Sequence, residues 1–357
     1  MPEITIPTEP IGSIPRPQNL IDAMSQWNRG ETTREAVDAI AQAAISDTIR
    51  RFEATGSPVI TDGEQSKSSF ATYSVHGAAN IEPDGIVIPF EDGHVRQLPR
   101  LAAGPFRYVT YAAEYLSAAK TRTRLPVKQA VISASALSLI YPEGGIPGYS
   151  RQQFLDDLVS EAEEDIRRCL QSGASAVQID FTEGRLALKL DPSGHLLQQF
   201  VELNNRVLSR FTDEEKSKIG VHSCPGGDRD ATHSAAVDYT KLLPQLFELD
   251  VTNFYLQMAS EPDRPRVLNM VEDLLRPHQR VFVGVIDPIN AEVESPEKVC
   301  ARVIEAAEFI SAAQLGTTDD CGFAPFLDDT STARDVAFAK ITARVQGTLL
   351  AAGRLMA

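Results

Sequence analysis

Short apolar runs separated by longer amphipathic segments recur along nearly the whole chain, and this alternation constrains the fold more than any other feature. The runs fall near 58–62 (PVITD), 127–133 (VKQAVIS), 175–180 (SAVQID), 218–222 (KIGVH), 251–258 (VTNFYLQM), 281–286 (VFVGVI) and 312–318 (AAQLGTT), with a weaker one near 4–11. Each has the length of a strand. Helical patterns lie between them. In 151–172, Phe154, Leu158, Ala162, Ile166 and Leu170 recur at spacings near four and share one helix face, and Gly173 stops the pattern. Segments 194–212, 235–248, 262–276, 295–310 and 330–352 read the same way. Such alternation implies parallel strands joined by right-handed crossovers. Eight candidate strands predict an α/β fold closed as a single (β/α)8 TIM barrel over residues 1–357. Residues 83–111 break the rhythm, with turns at Asp84-Gly85 and Asp92-Gly93, and are expected to form a small β-rich insertion after the second strand.

Composition excludes several classes of function. A net charge of −15 argues against nucleic-acid or anionic-membrane partners, which require basic patches. The N-terminal MPEITIPTEPIGSIPRPQ has neither a basic region nor an apolar run, so no signal peptide is expected. No stretch approaches the roughly 18–20 apolar residues of a membrane span. A cytoplasmic location follows as the expectation. The four cysteines, Cys169, Cys224, Cys300 and Cys321, are too few for a disulfide framework and are read as free or metal-bound thiols. Cys169 and Cys300 sit among apolar residues on predicted helices and are expected in the core.

In a barrel of this kind the chemistry sits where strands end. The predicted strand ends carry Gly12-Ser13, Asp62-Gly63-Glu64, Asp180 with Glu183 just beyond, His222-Ser-Cys224, Gln257 followed by Glu261, Asp287, and Asp319-Asp320-Cys321-Gly322. Residues i and i+2 of an extended strand point the same way, so His222 and Cys224 can reach one ion. A lone H-x-C is weak, because buried cysteine is common as a small hydrophobe. Cys321 strengthens it, since TTDDCGF is a polar, glycine-flanked run unlike a core setting. Two thiolates and one imidazole suit zinc and leave a fourth position for a thiol substrate. A thiol bound there loses its proton near neutral pH. Asp180 can hold a substrate amino group or a proton, or cap the following segment. Ser13 and Glu64 fit turn or cap roles equally well. His233 is read as a loop or helix-start residue, and His76, His94, His195 and His278 are given no role.

Six pieces in order, IGSIPRP at 11–17, TDGEQ at 61–65, VQID at 177–180, VHSC at 221–224, GVID at 284–287 and DDCG at 319–322, resemble the catalytic barrel of the cobalamin-independent methionine synthase family and its single-domain relatives. The resemblance implies a TIM barrel with zinc on His222, Cys224 and Cys321. It implies that Ser13, Glu64 and Asp180 hold the amino acid part of homocysteine. The reaction it implies moves a methyl group, from methyl-folate or methyl-cobalamin, onto the thiolate to give methionine. Three departures stand out. Gln257 occupies the position of the family's glutamate ligand, with Glu261 as the other candidate, and Ile289 stands at or near the position of the histidine that protonates the leaving group. The second, N-terminal barrel of the full-length enzyme is not expected here, since these 357 residues leave no room for one. These gaps are compatible with a second branch, epoxyalkane:coenzyme M transferase, in which a thiolate opens an epoxide. Its sulfonate would need cationic contacts, for which Arg16, Arg185 and Arg229 are the candidates. A non-catalytic barrel binding a thiol or amino acid is the third expectation, with Gln257 as its supporting feature.

Overall fold

The structure, a computed structural model, describes residues 5–356. Four short strands come first in the chain: β1 (Ile81–Glu82), β2 (Val87–Pro89), β3 (Val95–Gln97) and β4 (Arg100–Leu101). There follow β5 (Gln129–Ile132), β6 (Val177–Asp180), β7 (Ile219–Ser223), β8 (Gly227–Asp228), β9 (Ala231–Thr232), β10 (Asn253–Leu256), β11 (Arg280–Ile286) and β12 (Leu315–Asp319). The central sheet has six strands in the order β12-β11-β10-β7-β6-β5. Every pairing within it is parallel. Its strands are buried on both faces, as continuous apolar runs between layers must be.

The two remaining expected strands make single parallel bridges only, Thr8 to Thr317 at one edge and Ile60 to Val127 at the other. The described part of the first of these begins at Thr5. Prolines account for the short pairing: Pro7, Pro10 and Pro58 have no N–H to give a ladder. Thr317 N donates to Pro7 O at 2.8 Å and Glu9 N to Thr317 O at 3.0 Å, and there the ladder stops. The two edge segments also meet each other. Ile14 N donates to Gly63 O at 3.0 Å, and Thr61 Oγ1 to Gly12 O at 2.8 Å.

The crossover helices follow their sequence patterns. Arg151–Gln171 opens on a capping box in which Gln153 N donates to Ser150 Oγ and Ser150 N to Gln153 Oε1. It buries Phe154, Leu158, Ala162 and Ile166 and ends before Gly173, at φ +75°. The expected helix over 235–248 is instead a 3-10 turn, Tyr239–Lys241, and one helical turn, Leu243–Leu246. Pro244 cannot continue a helix from the preceding turn, because it lacks the N–H and crowds the residue before it. No helix among the described residues is long and apolar enough to cross a membrane.

Within 83–111, β2 and β3 form an antiparallel hairpin, and β1 pairs with β4. The hairpin docks on the loop that follows β7. Arg96 Nε and Nη2 donate to the buried Asp228 carboxylate at 2.5 and 3.1 Å, and His94 Nε2 lies 2.9 Å from it. Glu91 N donates to Thr232 O at 2.9 Å. A segment remote in sequence is thereby fixed beside the strand ends.

Candidate metal centre and substrate pocket

Parallel register brings the polar strand ends together. Asp180 on β6 is the register partner of His222 on β7, which in turn faces Tyr255 on β10. Cys224 follows β7 directly, and Cys321 lies two residues past β12. One ligand atom from each of His222, Cys224 and Cys321 lies within 4.8 Å of the others. The sulfurs of Cys224 and Cys321 are 3.4 Å apart. His222 Nδ1 lies 3.3 Å from Tyr255 O, and a carbonyl only accepts, so the ring hydrogen sits on Nδ1. Nε2 is left with its lone pair, buried and without a partner. The contact with Cys224 and burial push the Cys321 thiol well above its ordinary value. An orphaned imidazole nitrogen beside two crowded sulfurs is the donor set a zinc ion completes.

Of the two candidates for a fourth ligand, Glu261 is ion-paired with the buried Arg185, which also stacks on Tyr239 at 4.0 Å. Gln257 instead keeps its amide oxygen buried and unpartnered, while its Nε2 donates to Ser260 Oγ at 2.6 Å. Asp320, one residue before Cys321, fixes the turn after Gln257. It accepts from the backbone N–H of Met258, Ala259 and Ser260, each at 2.8 Å, and from Ser260 Oγ at 2.7 Å. Gly284 permits this approach, since a Cβ there would lie 1.9 Å from Asp320 Oδ1.

Ser13, Glu64, Asp180, His222 and Cys321 all line one cavity of about 320 Å³. Ser13 Oγ accepts from Ala324 N at 3.2 Å and packs on Gly322, where a Cβ would come within 2.1 Å. Glu64 holds a left-handed φ of 56° in a turn closed by Asp62, and its carboxylate meets Lys67 Nζ at 2.9 Å. Asp180 accepts from Gln178 Nε2 at 2.7 Å, and burial pushes it up to about 6. Glu183 accepts from Ser133 Oγ at 2.6 Å and from Ser135, has one oxygen without a partner, and is pushed by burial up to about 7.

Two residues given no chemistry from sequence belong to this site. His233 lines the cavity, because the β8–β9 turn folds it back over Gly226, and burial lowers it to about 4. His94 pins the hairpin to Asp228. The adjacent glycines Gly226 and Gly227, which allow close backbone approach, are the sequence signal that could have found that loop. The three arginine candidates are all committed elsewhere. Arg16 donates to Ala324 O, Phe326 O, Glu64 O and Lys67 O at 2.7 to 3.0 Å, Arg185 pairs with Glu261, and Arg229 with Asp328. Cys169 and Cys300 are fully buried in the core.

The buried acids fix the pH dependence of stability. Asp180, Glu183, Asp165 and Asp320 sit near 6, 7, 6 and 6 in the folded chain, all raised by burial. Around pH 5 the folded state therefore holds about four protons that the unfolded state has largely lost. His233, lowered to about 4, gives back one. With more protons on the folded side, stability falls as pH rises through this window. Urea unfolding of metal-free protein is expected to show a higher midpoint at pH 5 than at pH 7.5. A higher midpoint at pH 7.5 would contradict these assignments.

The family model described as cobalamin-independent synthase, catalytic domain, matches residues 6–338. A methionine synthase of Thermococcus kodakarensis is 23% identical over 345 residues, covering 96% of this chain and 92% of that one. A Bacillus subtilis protein, YxjH, described as uncharacterized, is 23% identical over 334 residues, 88% of this chain and 86% of its own. Among solved structures, a B12-independent methionine synthase from Shewanella with bound selenomethionine superposes with a TM-score of 0.76 at 18% identity, covering 99% of both chains.

Proposed function

Because the chain belongs to the cobalamin-independent synthase family, we propose that it is a cytoplasmic, zinc-dependent thiol S-methyltransferase that converts a homocysteine-type thiol to methionine. One observation carries this: the unpartnered Nε2 of His222 converges with the sulfurs of Cys224 and Cys321, and His222 and Cys321 line the same cavity as Asp180. Zinc held by His222, Cys224 and Cys321 would lower the pKa of the substrate thiol and supply a thiolate at neutral pH. Asp180, oriented by Gln178, and Glu64 accept from the substrate amino group, with the Ser13 hydroxyl donating to its carboxylate. Confinement of thiol and methyl donor in one small cavity provides the alignment that in-line transfer needs. The bridges at both sheet edges and the hydrogen bonds between segments 12–14 and 61–63 support a single closed eight-stranded barrel, with 83–111 as its insertion. The committed arginines favour an amino acid thiol over a sulfonate-bearing one.

The test is methionine formation from homocysteine by zinc-loaded and chelator-stripped protein, with methyl-folate, methyl-cobalamin and trimethylsulfonium offered in turn. Methionine in the loaded sample alone is expected with at least one donor. No thiol methylation from any of the three sinks the proposal.

Gln257, whose amide oxygen is free where Glu261 is paired, is assigned the fourth position. A neutral amide binds more weakly than a carboxylate, so it yields readily to an incoming thiol. Gln257→Glu is expected to retain zinc against a competing chelator at least about tenfold better, in the range of other ligand-shell changes. Unchanged retention would remove Gln257 from the metal shell.

A further inference from the structure

The hairpin of the 83–111 segment gives the cavity a different character from that of the strand ends. Ile88, Phe90, Val95 and Leu98 line it from the hairpin, joined by Phe70 and Phe326. Arg96 is the cationic residue among the cavity-lining residues, and its guanidinium is held by Asp228 and Asp328 and lies 4.2 Å from the Phe326 ring centre. The cations behind the lining are committed as well. Lys67 pairs with Glu64, Arg16 is enclosed by four carbonyls, Arg185 pairs with Glu261, and Lys189 Nζ donates to His233 O at 2.6 Å. What the lining presents is apolar surface, neutral polar groups such as Ser69, Thr72 and Thr182, and the carboxyl groups of Glu64, Asp180 and Glu183. Beyond the amino acid's own carboxylate, which the Ser13 hydroxyl can meet, an anionic second reactant would lose its water and find no free cationic side chain in exchange. The volume of about 320 Å³ lies at the low end of small-molecule sites, so a thiol amino acid leaves room for only a small second reactant.

We propose that the alkyl donor is a small, non-anionic molecule whose apolar body packs against Ile88, Phe90, Val95 and Leu98. This rests on the proposed thiol chemistry and narrows its second substrate. The group transferred is the carbon attached to the donor's leaving atom: the S–C bond forms, the bond to the leaving atom breaks, and that atom keeps the electron pair. The proton lost by the thiol goes to solvent, and a basic leaving atom takes one from there.

Thioether products would report on this space without turnover, because with their amino acid part on Asp180 and Ser13 and their sulfur toward His222, Cys224 and Cys321 their alkyl group would extend into the cavity. Calorimetric titration of the zinc-loaded full chain is made with methionine and the S-ethyl, S-propyl and S-butyl homologues of homocysteine, and with an S-carboxypropyl homologue. Affinity is expected to rise about three- to fourfold per methylene, as burial of apolar surface dictates. The acid-tailed compound is expected to bind at least about tenfold more weakly than the S-butyl compound of similar length. Phe90→Ser should flatten the series, and Ile88→Ser, at a partly exposed position, makes the same test should the first variant fail to fold. A flat or falling series with methionine still bound overturns the donor assignment alone, as does an acid-tailed compound that binds as well as its apolar counterpart. Binding of none of the compounds to zinc-loaded protein overturns the homocysteine assignment and the donor assignment with it.

Discussion

His222→Ala and Cys321→Ser are each expected to purify with less than about a tenth of the zinc of the parent protein and to lose thiol methylation by at least about a thousandfold. The geometry leaves little redundancy. His222 Nε2 has no protein partner to fall back on, and Cys224 and Cys321 face each other at 3.4 Å. With one donor gone, at most two strong ligands remain, because Gln257 offers only a neutral amide and Glu261 is held by Arg185. The fold is expected to survive, since Cys321 keeps some exposure to the cavity and His222 lies in a ladder whose backbone hydrogen bonds the substitution does not touch. Metal analysis beside circular dichroism checks both halves. Equal zinc in the parent and the two variants would end the zinc assignment.

Asp180→Asn is expected to raise the KM for homocysteine by roughly 10² to 10³, with zinc content unchanged. A charge-assisted hydrogen bond to a buried carboxylate is worth about 1.5–3 kcal/mol, and the unpaired ammonium left behind adds to the loss. Asparagine keeps the shape and the contact with Gln178 but removes the charge. Stability separates this from a folding defect. Burial pushes Asp180 up to about 6, so its ionised form costs the folded chain stability above that pH. The neutral amide removes the cost, and the variant should resist urea at least as well as the parent at pH 8. An unchanged KM would assign Asp180 a purely structural role.

The fold was legible wherever local patterning decides it. The apolar runs at 175–180 and 281–286 and the four-residue spacing of Phe154, Leu158 and Ala162 fixed strands and a helix, because burial of one face or of both is a local property of the sequence. The helix expected at 235–248 failed for an equally local reason, Pro244, which outweighed the amphipathic pattern. The edge segments near Thr8 and Ile60 pair less than their apolar content suggested, since hydrogen bonding there is limited by proline.

The site divides in the same way. The sequence by itself determined which residue types stand at the strand ends, because parallel strands deliver their C-terminal residues to one rim: Ser13, Glu64, Asp180, His222 and Cys321 lie on one cavity for that reason. Only the tertiary structure decided the partners of those side chains. Arg185 holds Glu261 in an ion pair, Asp320 fixes the turn after Gln257, and His94 and Arg96 reach across more than a hundred residues to Asp228, seating an apolar hairpin on the cavity. Such contacts have no period and no local signature, since they depend on where the chain returns in space.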